Sequence, residues 1–391
     1  MRQFSLTQLL MFVALVAILL TLVRSEGCRS RNSAIWSLEF ASDGKNLLVA
    51  RYDGHAVDSS GTHFQGEVCR TISVIDVDAG LPKMVVDQVA KSSGLFILDR
   101  VNRLPCTAFA EGEEAVLIDA PESGELRCFD LAGGQSRTLF GGYKQRSRGF
   151  IVSRDRSVVA IGYDDAVVLC DARSGHQLGR IPGGPCSNCL LSLSADGEYL
   201  LSLGTLEYNR LWNVCDGKES AISRDIDPIS FSAIGHTLVS LKDARIRLFG
   251  VDGKLSRELP CKSTIWWDKI AFSADESKLA AATTDAVMLM DCHTGQMLGQ
   301  IPAAGLSAFA LSPDGNYIAI GDYRGGLTLW RPGSEDAPKQ IVVPGRTNIY
   351  TWHWPFVALV IWASICYWIW VRRKWARQPQ ARPSAASSAS S

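Results

Sequence analysis

A short motif, an apolar residue followed by Ser-x-Asp, returns about every forty residues through most of this chain, and a fixed period of that size means an array of like structural units. Its clean copies close at Asp155, Asp196, Asp275 and Asp314, while another, closing at Ile234, keeps Ser232 and loses the acid. The closing positions 155, 196, 234, 275 and 314 are spaced by 41, 38, 41 and 39 residues. Earlier copies at Phe40 to Asp43 and, in reduced form, at Phe109 to Gly112 bring the number to seven. A second marker runs in step with the first, a glycine-bearing turn at Gly80, Gly133, Gly175, Gly217, Gly253, Gly295 and Gly333.

Between the markers lie short runs of strand character, such as Val158 to Ile161 followed by Val167 to Leu169. A further run follows each glycine turn, as in Gln177 to Ile181 or Met297 to Ile301. Four strands in about forty residues cannot bury both faces of their own sheet, so units must lean on their neighbours, and radial stacking leaves only short protected edges. The expected fold is all-β: a seven-bladed β-propeller of four-stranded blades over residues 33–343. Because the repeats begin on an inner strand and end on an outer one near residues 340–343, packing alone is expected to close the ring.

These repeats resemble the WD40 family and its bacterial YVTN-like relatives. The family's tryptophan-aspartate position falls at Asp76, Asp130, Asp171, Trp212-Asn213, Phe249-Gly250, Asp291 and Trp330-Arg331, and turn aspartates like the family's stand at Asp165, Asp243, Asp285 and Asp322. The resemblance implies a broad rigid face that binds other proteins. The family's Gly-His pair is missing from its place, since Gly54-His55, Gly175-His176 and Gly235-His236 fall in other turns. The side-chain tetrad built on that histidine is therefore not carried over, and apolar contact is expected to hold blade to blade.

Both ends of the chain are apolar. Residues 4–23 carry no charge, and residues 352–371 hold Trp352, Trp354, Trp368 and Trp370 near their ends with Arg372, Arg373, Lys374 and Arg377 following. Twenty helical residues reach about 30 Å, one hydrocarbon core. Residues 1–24 are expected to be a transmembrane anchor or signal, 352–371 a transmembrane helix, and 372–391 a basic and then Pro/Ala/Ser-rich disordered tail. An uncleaved anchor is favoured, because only Arg2 precedes the first run and no small-x-small site follows it; Glu26 disfavours a lipoprotein at Cys28. Arg24, Arg29 and Arg31 would keep the repeats inside, but the denser C-terminal cluster outweighs them. The expectation is a two-pass membrane protein, or single-pass after cleavage, with an extracytoplasmic propeller and a cytoplasmic tail.

Lys plus Arg and Asp plus Glu are both 40, so no summed field gathers nucleic acid, and no nucleic-acid partner is expected. Eleven cysteines are present. Cys128, Cys170, Cys215 and Cys292 fall in or beside third strands, where they read as core packing. Cys186 and Cys189 read as a disulfide or idle thiols, since one Cys-x-x-Cys without a second pair is a weak zinc signal. His55, Asp58, His63 and Cys69 lie in an insertion, residues 53–69, whose spacing fits no metal template and which reads as a solvated loop. Glu113-Glu114 and Asp164-Asp165 read as solvated turn acids, and Trp266-Trp267 as rings buried between blades.

No catalytic, cofactor-binding or metal residue is assigned, and no cofactor is expected. The chain reads as a membrane-tethered, non-enzymatic scaffold for a protein partner. The alternative is an extracytoplasmic small-ligand sensor or enzyme using the central channel, which requires acids or histidines from several blades at its mouth.

Overall fold

Each repeat folds as one antiparallel sheet of four strands in sequence order, and seven such sheets form a seven-bladed β-propeller. The structure is a computed structural model and describes residues 31–344 apart from 56–62, 98–106, 121–122, 142–144, 146, 164, 183–189, 204–208, 221–225, 227, 235, 243–244, 261–264 and 284. The blades span residues 31–97, 107–140, 149–182, 190–220, 228–260, 265–302 and 306–341. Blade one comprises β1 (Arg31–Phe40), β2 (Asn46–His55), β3 (His63–Asp76) and β4 (Leu81–Ile97).

The two sequence markers are two hydrogen-bonded turns. In Ser-x-Asp the serine hydroxyl donates to the aspartate, at 2.7 Å for Ser273 to Asp275, and accepts the N–H five residues on, at 3.0 Å from Lys278. Asp275 accepts the Ser277 N–H at 3.0 Å. The same latch joins Ser153 to Asp155, Ser194 to Asp196 and Ser312 to Asp314. It fixes the hairpin between the first and second strands. The second marker closes the hairpin between the third and fourth: Asp171 accepts the N–H groups of Arg173 and Ser174, and Asp291 those of His293 and Thr294. The acid four residues before the glycine of this turn is thus an Asx-turn acceptor, a role short carboxylate side chains suit. Where blade five carries Gly250, the nearby Asp252 accepts the Lys254 N–H.

Middle strands such as Val158–Gly162 are buried along their whole length because a blade has neighbours on both faces. Among the described residues the hydrophobic core resolves into seven clusters, each shared between two adjacent blades and together covering all seven seams. At the seam between first and last blades, Ile35, Leu47, Val49 and Ile75 meet Ala308, Ala319, Leu327 and Ile341. Among the described residues no strand is exchanged there, as each terminal blade supplies all four of its own. Polar contacts reinforce that seam, with the Ser307 hydroxyl donating to the Ile35 carbonyl at 2.5 Å and Arg51 to the Val343 carbonyl at 2.9 Å.

The expected membrane arrangement is corrected. Among the described residues no helix is long and apolar enough to cross a membrane; the helical geometry there is a 3-10 turn, Glu111–Glu113. The physical reason is that most of the described apolar side chains lie in short strands and pack at the seams, whereas a span needs about 20 apolar residues in one helix. The runs 4–23 and 352–371, on which the two-pass localisation rested, and the tail lie outside the described residues. A second correction concerns the insertion read as a loop: residues 63–69 belong to β3, while 56–62 lie outside the described residues.

Two outcomes follow from the seam and the latch. A Cβ at Gly321 would stand 2.4 Å from Ile35 Cγ2, so Gly321→Ala should destabilise by about 1–3 kcal/mol in chemical denaturation. Ser273→Ala strands the Lys278 N–H and should cost about 1–2 kcal/mol. The Ser273 hydroxyl, with the Ser277 N–H and hydroxyl, holds the Asp275 carboxyl down at about 2. Its contribution is therefore present above the ordinary value of 3.8 and lost as pH falls toward 2, and denaturation at stepped pH should show that loss diminished in the variant.

Candidate functional site

The hairpins latched by Ser-x-Asp converge around one mouth of the axial channel, where a cavity of about 650 Å³ opens. Its wall is apolar and half-buried, formed by Leu38, Val152, Ala271 and Phe309 from four blades. Its rim is charged, carrying Glu39 from blade one, Glu113 from blade two, and Arg154, Asp155 and Arg156 from blade three.

Two of the rim charges, Glu113 and Arg156, sit where the turn needs a left-handed backbone. Gly44, Gly197 and Gly315 fill that turn position at φ of 70°, 73° and 65°, but Glu113, Arg156 and Glu276 fill it at 61°, 62° and 55°. Each non-glycine residue there costs about 1 kcal/mol or more. Each also reaches across the seam to an earlier blade. The Glu113 carboxylate accepts the Ser42 N–H at 2.5 Å and the Glu276 carboxylate the Ile234 N–H at 2.8 Å. Arg156 lies 2.5 Å from the Glu39 carboxylate and 3.8 Å from that of Glu113, and donates to the Phe109 carbonyl at 2.7 Å.

Glu39 completes this bridge by accepting the Phe109 N–H at 3.1 Å. Burial against the channel wall holds its carboxyl above the ordinary range, opposed by Arg156 and that N–H. Asp155 is occupied by the hydroxyls of Ser153 and Ser157, at 2.5 and 2.7 Å. The carboxylates at this mouth are thus tied into ion pairs and turns.

A second group bridges blades four and five. Asp196, Glu198 and His236 each offer one donor atom, all within 4.8 Å of one another, and form the group among the described residues that could hold a metal ion. His236 Nε2 lies 2.5 Å from Asp196 and 3.5 Å from Glu198, and its ring meets Tyr199 edge-on at 4.7 Å. Burial tends to raise the Asp196 carboxyl, but the Ser194 hydroxyl, the Glu198 N–H and His236 together bring it below the ordinary range. As it stands the group is a polar contact between side chains across a seam.

Of the residues singled out from sequence, Glu113 is neither idle nor freely solvated, since it serves the rim. Cys170 and Cys292 are buried thiols pushed up to about 12 by burial, which makes them poor nucleophiles. Cys128 is half-buried, and Cys215 is exposed in the turn after its strand, against the packing expected of it. Asp165 pairs with Arg180 at 3.0 Å. Cys186, Cys189, Asp58, Asp164 and Asp243 lie outside the described residues, as do the side chains of His55, His63, Cys69, Trp266 and Trp267. Sequence reasoning missed Glu39, Arg156 and the link from His236 to Asp196. The available signal was a charged residue standing where the turn elsewhere carries glycine.

No family model matches the chain. It is similar to telomerase protein component 1 of Rattus norvegicus, 23% identical over 283 residues, which cover 64% of this chain and 11% of that protein. It is also similar to autophagy-related protein 16 of Arabidopsis thaliana, 26% identical over 276 residues that cover 70% of this chain and 45% of that protein. The chain thus spans from about a tenth to less than half of the length of these curated relatives.

Removing the bridging cation tests the rim. Arg156→Ala should destabilise by about 2 kcal/mol at neutral pH, between the values for surface and fully buried pairs. Without Arg156 the Glu39 carboxyl rises further, and a carboxyl raised by folding opposes stability when ionised. The deficit should therefore shrink as pH is lowered toward the ordinary value of 4.5, as read by denaturation at pH 8, 6 and 5.

Proposed function

We propose that this chain is a non-enzymatic protein-interaction scaffold, in which residues 33–343 form the interacting domain and the face bearing the latched turns is the platform. The observation that carries this reading is the state of the channel mouth. Acids from three blades do reach it, as a sensor or enzyme would need, yet Glu39 and Glu113 are bridged by Arg156 and Asp155 is held by its own turn. No unengaged acid and base stand there together among the described residues, and the wall beneath is apolar. Side chains locked in this way stiffen a surface and leave little to move a proton. Similarity to a protein named as a component of telomerase supports the same direction.

Amine-reactive crosslinking tests the platform, because Lys45, Lys218, Lys254 and Lys278 stand in or beside the turns of that face. The expected result is repeated recovery of the same protein, crosslinked at these lysines and lost on charge reversal of Asp43 and Asp216. Recovery of no protein, with native mass spectrometry showing a stoichiometric small molecule or metal ion on the chain, overturns the scaffold reading in favour of a channel ligand.

A further inference from the structure

The first hairpin of blade five keeps the serine of the latch and lacks its acid. The Ser232 hydroxyl donates instead to the Ile234 carbonyl, at 3.2 Å. Four residues after that serine stands His236, where the matching turns of blades three, four, six and seven carry Ser157, Glu198, Ser277 and Asn316. The imidazole crosses the seam: Nε2 lies 2.5 Å from Asp196 Oδ2 and 3.5 Å from Glu198 Oε2, both in the latched turn of blade four. The hairpin without an acid of its own is thus the one that reaches a neighbour's.

Surrounding contacts aim these donors at one point. Asp196 Oδ1 is engaged by the Ser194 hydroxyl at 2.7 Å and by the Glu198 N–H at 3.0 Å, which leaves Oδ2 to face the imidazole. The Tyr199 ring, 4.7 Å away and edge-on, sets the plane of the imidazole. Partners behind the ligating atoms are what orient a metal's ligands. One atom from each of the three side chains lies within 4.8 Å of the other two.

The donor set selects the ion. Magnesium and calcium take oxygen ligands, whereas an imidazole nitrogen suits divalent first-row ions such as zinc. Two carboxylates balance a charge of two, and a neutral imidazole adds none. Three protein ligands with a fourth position left open is a pattern zinc adopts. Ligands at about 2.1 Å around tetrahedral zinc stand about 3.4 Å apart, so the Glu198 oxygen is already in place and Asp196 Oδ2 must withdraw by about 1 Å. A side chain 42% exposed has room for that rotation. Coordination needs Nε2 bare of its proton, so the ion replaces the hydrogen bond between His236 and Asp196.

We propose that Asp196, Glu198 and His236 form a zinc(II) site that clasps blade five to blade four, with water at the fourth position. The ion ties down the one hairpin whose serine has no aspartate partner. None of the three residues lines the channel mouth, so zinc held here is not a channel ligand and the scaffold reading stands or falls separately.

The test is titration of the chelator-stripped full chain with zinc(II) and with cobalt(II), read by native mass spectrometry and absorption. It is run with Cys186→Ser and Cys189→Ser in every sample, so that the Cys-x-x-Cys pair takes no ion. The chain with His236 intact should take up one zinc ion. Glu198→Gln should weaken binding about tenfold and His236→Ala about a hundredfold. His236→Cys replaces nitrogen by sulfur, and its cobalt form should gain a sulfur-to-cobalt charge-transfer band that neither the histidine chain nor His236→Ala shows. Zinc should raise the melting temperature of the histidine chain as its concentration rises and leave that of His236→Ala unchanged, because the ligands meet only in the folded ring. Melts without zinc that match among the variants show that all of them fold. A histidine chain that takes up no zinc, undiminished binding by His236→Ala, or a His236→Cys chain without the new band overturns the inference.

Discussion

The seam between adjacent blades is the contact on which this structure depends. Each sheet exposes two apolar faces, and a face left without a neighbour would forgo about 25 cal/mol for every Å² of apolar surface it keeps in water. The clusters described above therefore belong to pairs of blades. It follows that the first and last blades need each other as much as any consecutive pair does. Their seam, with Ile35 against Ala308 and Leu327 and with Gly321 leaving room for Ile35, is an ordinary seam made from distant parts of the chain.

Polar chemistry serves the same end. The serine and aspartate of each latch consume backbone N–H groups that a tight hairpin would leave unpaired, and so set where each first strand ends. At three turns a charged side chain occupies the strained backbone position, and at each it crosses to another blade. Local strain is thereby offset by a contact that exists only in the assembled ring. At the channel mouth this puts several charges close together with their valences already satisfied, which favours a rigid surface over a reactive one.

Much of this was legible in the residues. Ser273 and Asp275, or Asp291 and Gly295, are close in sequence and do their work within one turn, so their spacing alone carries the blade count. Glu39 and Arg156 are 117 positions apart, and nothing local marks them as partners until blades one to three are set around the channel. Glu113 looked like a solvated turn acid for the same reason. The insertion in blade one lacks a helical or metal-binding pattern, and its continuation as strand became visible only through its rungs with β4. Cys215 lies one turn beyond its strand, a displacement that composition does not encode.

The sequence by itself determined the all-β class, the number of units and their four-strand pattern, because turn chemistry and alternation act over a few residues. It also led to the expectation that packing closes the ring, since the repeat begins on an inner strand and ends on an outer one. Only the tertiary structure decided which charges share the channel mouth, which acid His236 meets and how far β4 extends past its neighbours. Those outcomes depend on distances between blades, and such distances exist only after the apolar seams have brought remote segments of chain together.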